Sequence, residues 1–132
     1  MPNLTANVQG ISPLGFKAGA AITKGRLVKL DTTAGQVIHT TAITDVPIGV
    51  ALGDAASGAD VAVQTNGVAE VCASAAVALG AQVMPTASGA GKCSTAAGAT
   101  AQSIGQALAL CSNDGEFNPV LLRIGVNGPA NS

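Results

Sequence analysis

Apolar residues in this chain come in short runs that Gly, Asp, Asn or Pro interrupts. The segments RLVKLD from Arg26, QVIHTT from Gln36, DVAVQT from Asp60 and VLLRIGV from Val120 are rich in β-branched residues and predict strands. No long window keeps apolar residues at helical spacing. The Ala-rich stretches ASAAVAL (Ala73 to Leu79) and STAAGATAQ (Ser94 to Gln102) are the best candidates for a helical turn. The pattern predicts an all-β protein with at most one short helix.

The pattern also repeats. Ala20 to Gly25 matches Ala75 to Gly80 at an offset of 55 residues, with Val28 then falling over Val83. Opened by one residue, the alignment brings Ile48-Gly49 and Ala51-Leu52 over Ile104-Gly105 and Ala107-Leu108; opened by two more, it sets Gly67-Val68 over Gly125-Val126. This predicts a single β domain over residues 18–126 made of two similar halves, 18–71 and 73–126, with a flexible tail at 127–132. A few short strands with small side chains cannot bury both their faces alone. Two such halves packed together close a small barrel or sandwich and remove most free edges.

Residues 1–17, MPNLTANVQGISPLGFK, precede both halves. Pro2, Gly10, Pro13 and Gly15 prevent a sustained helix, so the segment reads as an extended N-terminal arm. Its apolar residues Leu4, Val8, Ile11, Leu14 and Phe16 are candidate interface residues toward a neighbouring subunit or a larger surface, the alternative being that the arm packs on its own barrel as an edge strand. Phe16, one of two aromatic residues in the chain, is the natural anchor.

Composition narrows the function. At 132 residues the chain fits one domain with a thin core of Val, Ile, Leu and Ala. Only 10% of residues are charged, against about 25% in an average soluble domain, which suits a subunit partly hidden against other chains. A net charge of -1 with scattered basic residues gives no footprint for nucleic acid or an anionic membrane. No apolar run is long enough to cross a bilayer, and MPNLTANVQG lacks the pattern of a signal peptide, so synthesis in a cytoplasm is expected.

The chain carries few residues in patterns that support chemistry. SGAGKCS (Ser88 to Ser94) resembles the end of a phosphate loop, but Thr86 stands where its first Gly belongs and Cys93 where Ser or Thr would hold a magnesium ion. His39 is the only histidine and lies inside a predicted strand. Asp54 with Asp60, and Asp114 with Glu116, lack the spacing of a calcium loop and read as turn residues. Cys72, Cys93 and Cys111 form no CxxC pair and have one histidine to help them, so no metal site is expected. They are read as free, partly buried thiols; the alternative is a disulfide, and one bridge within the chain would leave an unpaired cysteine to cross-link subunits. Absent Trp and Tyr leave no platform for stacking bases or sugars. No catalytic residue, cofactor or metal is expected.

The order AGAAITKGRLVKLD, DVPIGVALGDAASGADVAVQTNGVAEV, AVALGAQVMPTASG and SIGQALAL resembles the capsid cement, or head decoration, proteins of tailed bacteriophages. The resemblance spans about residues 18–126. It implies a fold related in outline to the β-tulip of lambda-type decoration proteins. It also implies a homotrimer, with a dimer as second choice, that sits on the outer surface of the virion capsid and stabilises contacts between major capsid proteins. The alternative is a surface- or carbohydrate-binding β module of a fibre or secreted protein.

Overall fold

The computed structural model describes residues 14–42, 45–86, 91–95 and 103–123. Among these are strands β1 (Leu14–Ala18), β2 (Leu27–Leu30), β3 (Gln36–His39), β4 (Gly49–Ala51) and β5 (Asp60–Gln64). They are followed by β6 (Val68–Cys72), β7 (Gln82–Pro85), β8 (Cys93–Thr95), β9 (Gly105–Ala107) and β10 (Phe117–Leu122). The protein is all-β, with no helix among the described residues. ASAAVAL is one place where a helical turn was expected. It runs as a loop pinned by two β-bridges, Ala73 to Cys93 and Val77 to Cys111. Its alanines favour a helix, but these tertiary pairings override local propensity.

The first five strands form a closed barrel in the order β1-β3-β2-β4-β5, and the last five form a sheet in the order β6-β10-β9-β7-β8. The same plan is written twice in main-chain bonds. Gly25 N–H donates to Ala51 O and Gly80 N–H to Ala107 O, both at 2.9 Å. Ile48 N–H donates to Val28 O at 2.8 Å and Ile104 N–H to Val83 O at 2.9 Å. Gly58 N–H donates to Ala18 O at 2.7 Å and Gly115 N–H to Ala73 O at 2.8 Å. Corresponding residues are thus 55 apart at the start of each half and 57 apart at its end. The parallel β1–β3 pairing, Ala18 opposite Val37, returns as the Ala73–Cys93 bridge, which brings β8 back to the end of β6.

The frame differs from the sequence alignment at one place. β6, which the Gly67-Val68 match set at the end of the first half, pairs with β10, Val68 opposite Leu121 and Cys72 opposite Phe117. β1 pairs with β5 in the same way, Leu14 opposite Val63 and Lys17 opposite Asp60. The structural halves are therefore β1–β5 and β6–β10, and Leu14 to Lys17 supply the first strand of the barrel. The physical cause is the alternation of VAEVC, which buries Ala69 and Val71 while exposing Val68 and Glu70, and so demands a partner sheet.

Glycine is required where strands cross most closely. A side chain at Gly49 would run into the Gln64 carbonyl, and one at Gly105 into that of Leu121, at equivalent positions of the two halves. Each half has its own core. Val28, Val37, Ala51 and Val63 fill the barrel, with Phe16 and Ile48 packed on them. Val71, Val77, Val83, Ile104 and Val120 fill the second half, and Leu27 and Val50 of the barrel join that cluster. Leu27 is fully buried; its apolar surface contributes about 2 kcal/mol, much of it to holding the halves together.

Candidate functional site

The joint between the halves is built by the turn before β2. Gly25, at φ +80°, lets the chain bend so that residues 25–27 enter between the end of β6 and the turn before β8. There Cys72 N–H donates to Gly25 O at 2.8 Å, and Leu27 N–H donates to Gly91 O at 2.6 Å. Gly91 N–H donates in turn to Thr40 O at 2.9 Å. The Phe117 ring lies over Gly25. On the near side of the joint, Gln64 Nε2 donates to the carbonyls of Asn66 at 2.8 Å and Val68 at 2.9 Å, fixing the crossover from β5 to β6.

Among the described residues, two open concavities stand out. One, of about 490 Å³, lies along β1 and β5 and is lined by Gly15, Phe16, Lys17, Gly35, Asp60, Val61 and Ala62. The other, of about 410 Å³, is lined by Gly80, Gln82, Ser103, Gly105, Gln106 and Arg123. The surface also exposes several large apolar side chains, Leu79 at 70% and Leu110 at 69% above all.

Of the candidate arm residues, Leu14 and Phe16 belong to β1. Leu14 is exposed, while Phe16 is half-buried against the barrel core at the edge of the larger concavity. Leu4, Val8 and Ile11 lie outside the described residues. Cys72, Cys93 and Cys111 are all free and buried, and all lie in the second half. Burial, with the Cys111 and Cys72 thiols nearby, pushes the Cys93 thiol up to about 12. Cys93 occupies the place that Val37 holds in the barrel, so it behaves as a small apolar side chain. A cross-link between subunits through these thiols requires strand ends to open first.

The polar side chains singled out in the sequence serve as struts. His39 Nε2 accepts from Thr23 N–H at 3.1 Å, and burial, then the Arg26 charge, lower its pKa, so the neutral imidazole is the native form. Asp54 accepts from Lys24 N–H at 2.8 Å, and Glu116 from Ser112 N–H at 2.6 Å and Asn113 N–H at 2.8 Å. Lys17 pairs with Asp60 at 2.7 Å, and Lys92, the lysine of the phosphate-loop-like fragment, pairs with Asp114 at 2.8 Å. Asp45, not flagged by the sequence, is the most engaged carboxylate. Partial burial works against its charge, but Thr41 N–H at 2.7 Å, Lys29 Nζ at 3.0 Å and Ala42 N–H at 3.0 Å outweigh that and lower its pKa. Among the described residues no cluster of His, Cys, Asp or Glu is arranged to hold a metal ion.

What these observations define is a duplicated β module whose polar groups brace loops and whose apolar side chains are partly left to the surface. The chain belongs to the phage cement protein family, whose model matches residues 33–124. The fold is similar to that of the N base of the head fiber gp8.5 of bacteriophage phi29, at a TM-score of 0.69 and 16% identity, covering 89% of this chain and 98% of that one. No curated protein matches the sequence. The protein is therefore a structural component of the phage capsid class.

Proposed function

We propose that this protein is a decoration protein that binds the outer surface of an assembled phage head, contacts the major capsid protein and stabilises the contacts between its copies. It acts as a homotrimer, with a dimer as second choice, and has a structural role rather than a catalytic one. Membership of the phage cement family carries the reading. The exposed Leu79, Leu110 and Leu30 on a surface with few charges support it, because such side chains gain most by being covered. Binding only the assembled shell makes disassembly costlier by mass action, and many copies on one lattice add up even if each contact is modest.

The N-terminal arm contributes by reaching a neighbouring subunit or the shell, with Phe16 at its root. Phe16 supports this reading from β1, where its half-buried ring borders the larger concavity. The test is co-sedimentation of the purified protein with heads assembled without it. Saturable binding to heads, and none to dissociated major capsid protein, is the expected result. No binding to either overturns the reading.

A further inference from the structure

The two concavities are the two vacant sides of the joint that already exists inside the chain. In that joint the receiving wall is made by Val71, Cys72, Gly91 and Phe117, and their counterparts in the first half are Phe16, Lys17, Gly35 and Asp60. Those four residues line the larger concavity. The entering edge of the joint is made by Gly25, Leu27 and Val50, with Gly49 beside them, and its counterparts in the second half are Gly80, Gln82, Gln106 and Gly105. Those four line the other concavity. One end of the molecule thus has an unused receiving wall, and the other an unused entering edge.

We propose that copies of this protein associate head to tail, the edge around Gly80 and Gln82 of one copy entering the concavity at Phe16, Gly35 and Asp60 of the next. Such a contact is heterologous, and it closes into a ring where the rotation between copies permits. It rests on the self-association proposed above and not on capsid binding.

The chemistry of both faces changes together. Leu27 and Val50, buried in the joint, become exposed Gln82 and half-buried Gln106; Cys72 and Phe117 on the wall become Lys17 and Asp60. An interface between copies that must also exist apart in water is more polar than a joint formed once in folding. Arg123 on the entering side is opposite in charge to Asp60 on the receiving side, whose carboxylate, paired with Lys17 at 2.7 Å, keeps a second oxygen for an incoming cation. Leu79, next to Gly80, and Leu108, just past β9, add apolar area on the entering side; Lys24 and Leu52 hold these places in the barrel.

Each vacant face is also capped by its own chain. At the receiving wall, Lys17 N–H donates to Gly35 O at 2.9 Å, whereas the equivalent Cys72 and Gly91 are parted and each bonds to the entering segment. At the entering edge, Gln106 Nε2 donates to Gly80 O at 3.0 Å, taking the place that Cys72 N–H takes at Gly25 O. Docking exchanges these caps for a bond from Lys17 N–H to the Gly80 carbonyl of the next copy. With the Lys17 amide and the Gly35 and Gly80 carbonyls engaged in this way, the free chain is protected from indiscriminate pairing at these groups.

Sedimentation velocity at tens of micromolar tests the proposal, with melting curves as the control for folding. Arg123→Glu is expected to weaken self-association about tenfold, and adding Asp60→Arg to restore it. Gly15→Trp, at a position with open space around its β carbon, is expected to block assembly without lowering the melting temperature. Gln82→Leu with Gln106→Val, which rebuilds the internal joint's own residues, is expected to tighten association, and Gly15→Trp to cancel that gain. An oligomer unchanged in Arg123→Glu and Gly15→Trp overturns the proposal while leaving self-association standing through other contacts. The same holds if Gly15→Trp lowers the melting temperature and leaves the oligomer intact, which makes the chain's own arm the occupant. A wild-type protein that is monomeric in solution and on heads contradicts both, and head binding, scored separately, judges the capsid role.

Discussion

Gly25 and Phe117 touch across the joint between the halves: a β carbon at Gly25 would lie 2.7 Å from the ring. At Gly80, the counterpart of Gly25 with nearly the same φ of +82°, the nearest atom is the Gln106 amide at 3.9 Å. The two glycines share the same backbone demand, and only one has a neighbour in the way.

Replacing each by alanine therefore separates strain from packing. Gly80→Ala is expected to cost about 1 kcal/mol, the penalty of a left-handed backbone. Gly25→Ala adds a clash with Phe117 and is expected to cost about 2–4 kcal/mol. Chemical denaturation of both variants checks this; equal losses would show that the joint contributes nothing.

The buried thiols predict an alkaline limit to stability. Cys93 ionises near its ordinary value of 9.0 when unfolded but at about 12 when folded, so the native state holds the proton longer. Its contribution is intact below pH 9 and is lost as pH rises from there toward 12. Cys93→Val is expected to fold, since valine stands at the equivalent place in the barrel, and to flatten that decline. Native protein at pH 8 is expected to resist thiol reagents until denatured, and reducing agent to leave the melting temperature nearly unchanged.

On the acid side two groups act in sequence. His39 has a lowered pKa because burial and Arg26 disfavour the imidazolium, so stability is lost as pH falls below 6.5, where the unfolded chain takes up a proton first. Asp45 also has a lowered pKa, and its contribution is present above its ordinary 3.8 and lost as pH falls beneath it. Asp45→Asn is expected to cost about 1–3 kcal/mol at pH 7 by weakening three bonds. The melting temperature of His39→Gln between pH 7 and 5 is expected to vary less than that of the wild type.

Much of this architecture is legible in the sequence because the repeat carries it. Ile48-Gly49 and Ile104-Gly105 open matching strands, each isoleucine just before the strand and each glycine its first residue, and the glycines match because both press on a neighbouring carbonyl. The start of β10 is hidden: the strand begins at Phe117, but Pro119, which removes a ladder donor, stands within it, so the sequence shows strand character only from Val120. β1 is masked in the sequence because Gly15 and the nearby Pro13 argue against regular structure, and only the register with β5 gives it a place. The joint left almost no trace, since it is made by main-chain groups at Gly25, Gly91 and Cys72 that any side chain pattern conceals.

The arm offers a further test. Deleting residues 1–13 keeps β1 whole, so the truncated protein is expected to fold and melt like the full chain while binding heads at least tenfold more weakly, about the loss of one anchoring contact. Full head binding by the truncated protein would remove the arm from the interface.

The thermal release of DNA from filled heads tests most directly the proposed role of the protein in holding a phage head together. Heads made without the protein are expected to assemble, to release DNA at a lower temperature than decorated heads, and to recover when the purified protein is added back. Release at the same temperature with and without the protein, at full occupancy, would contradict the account.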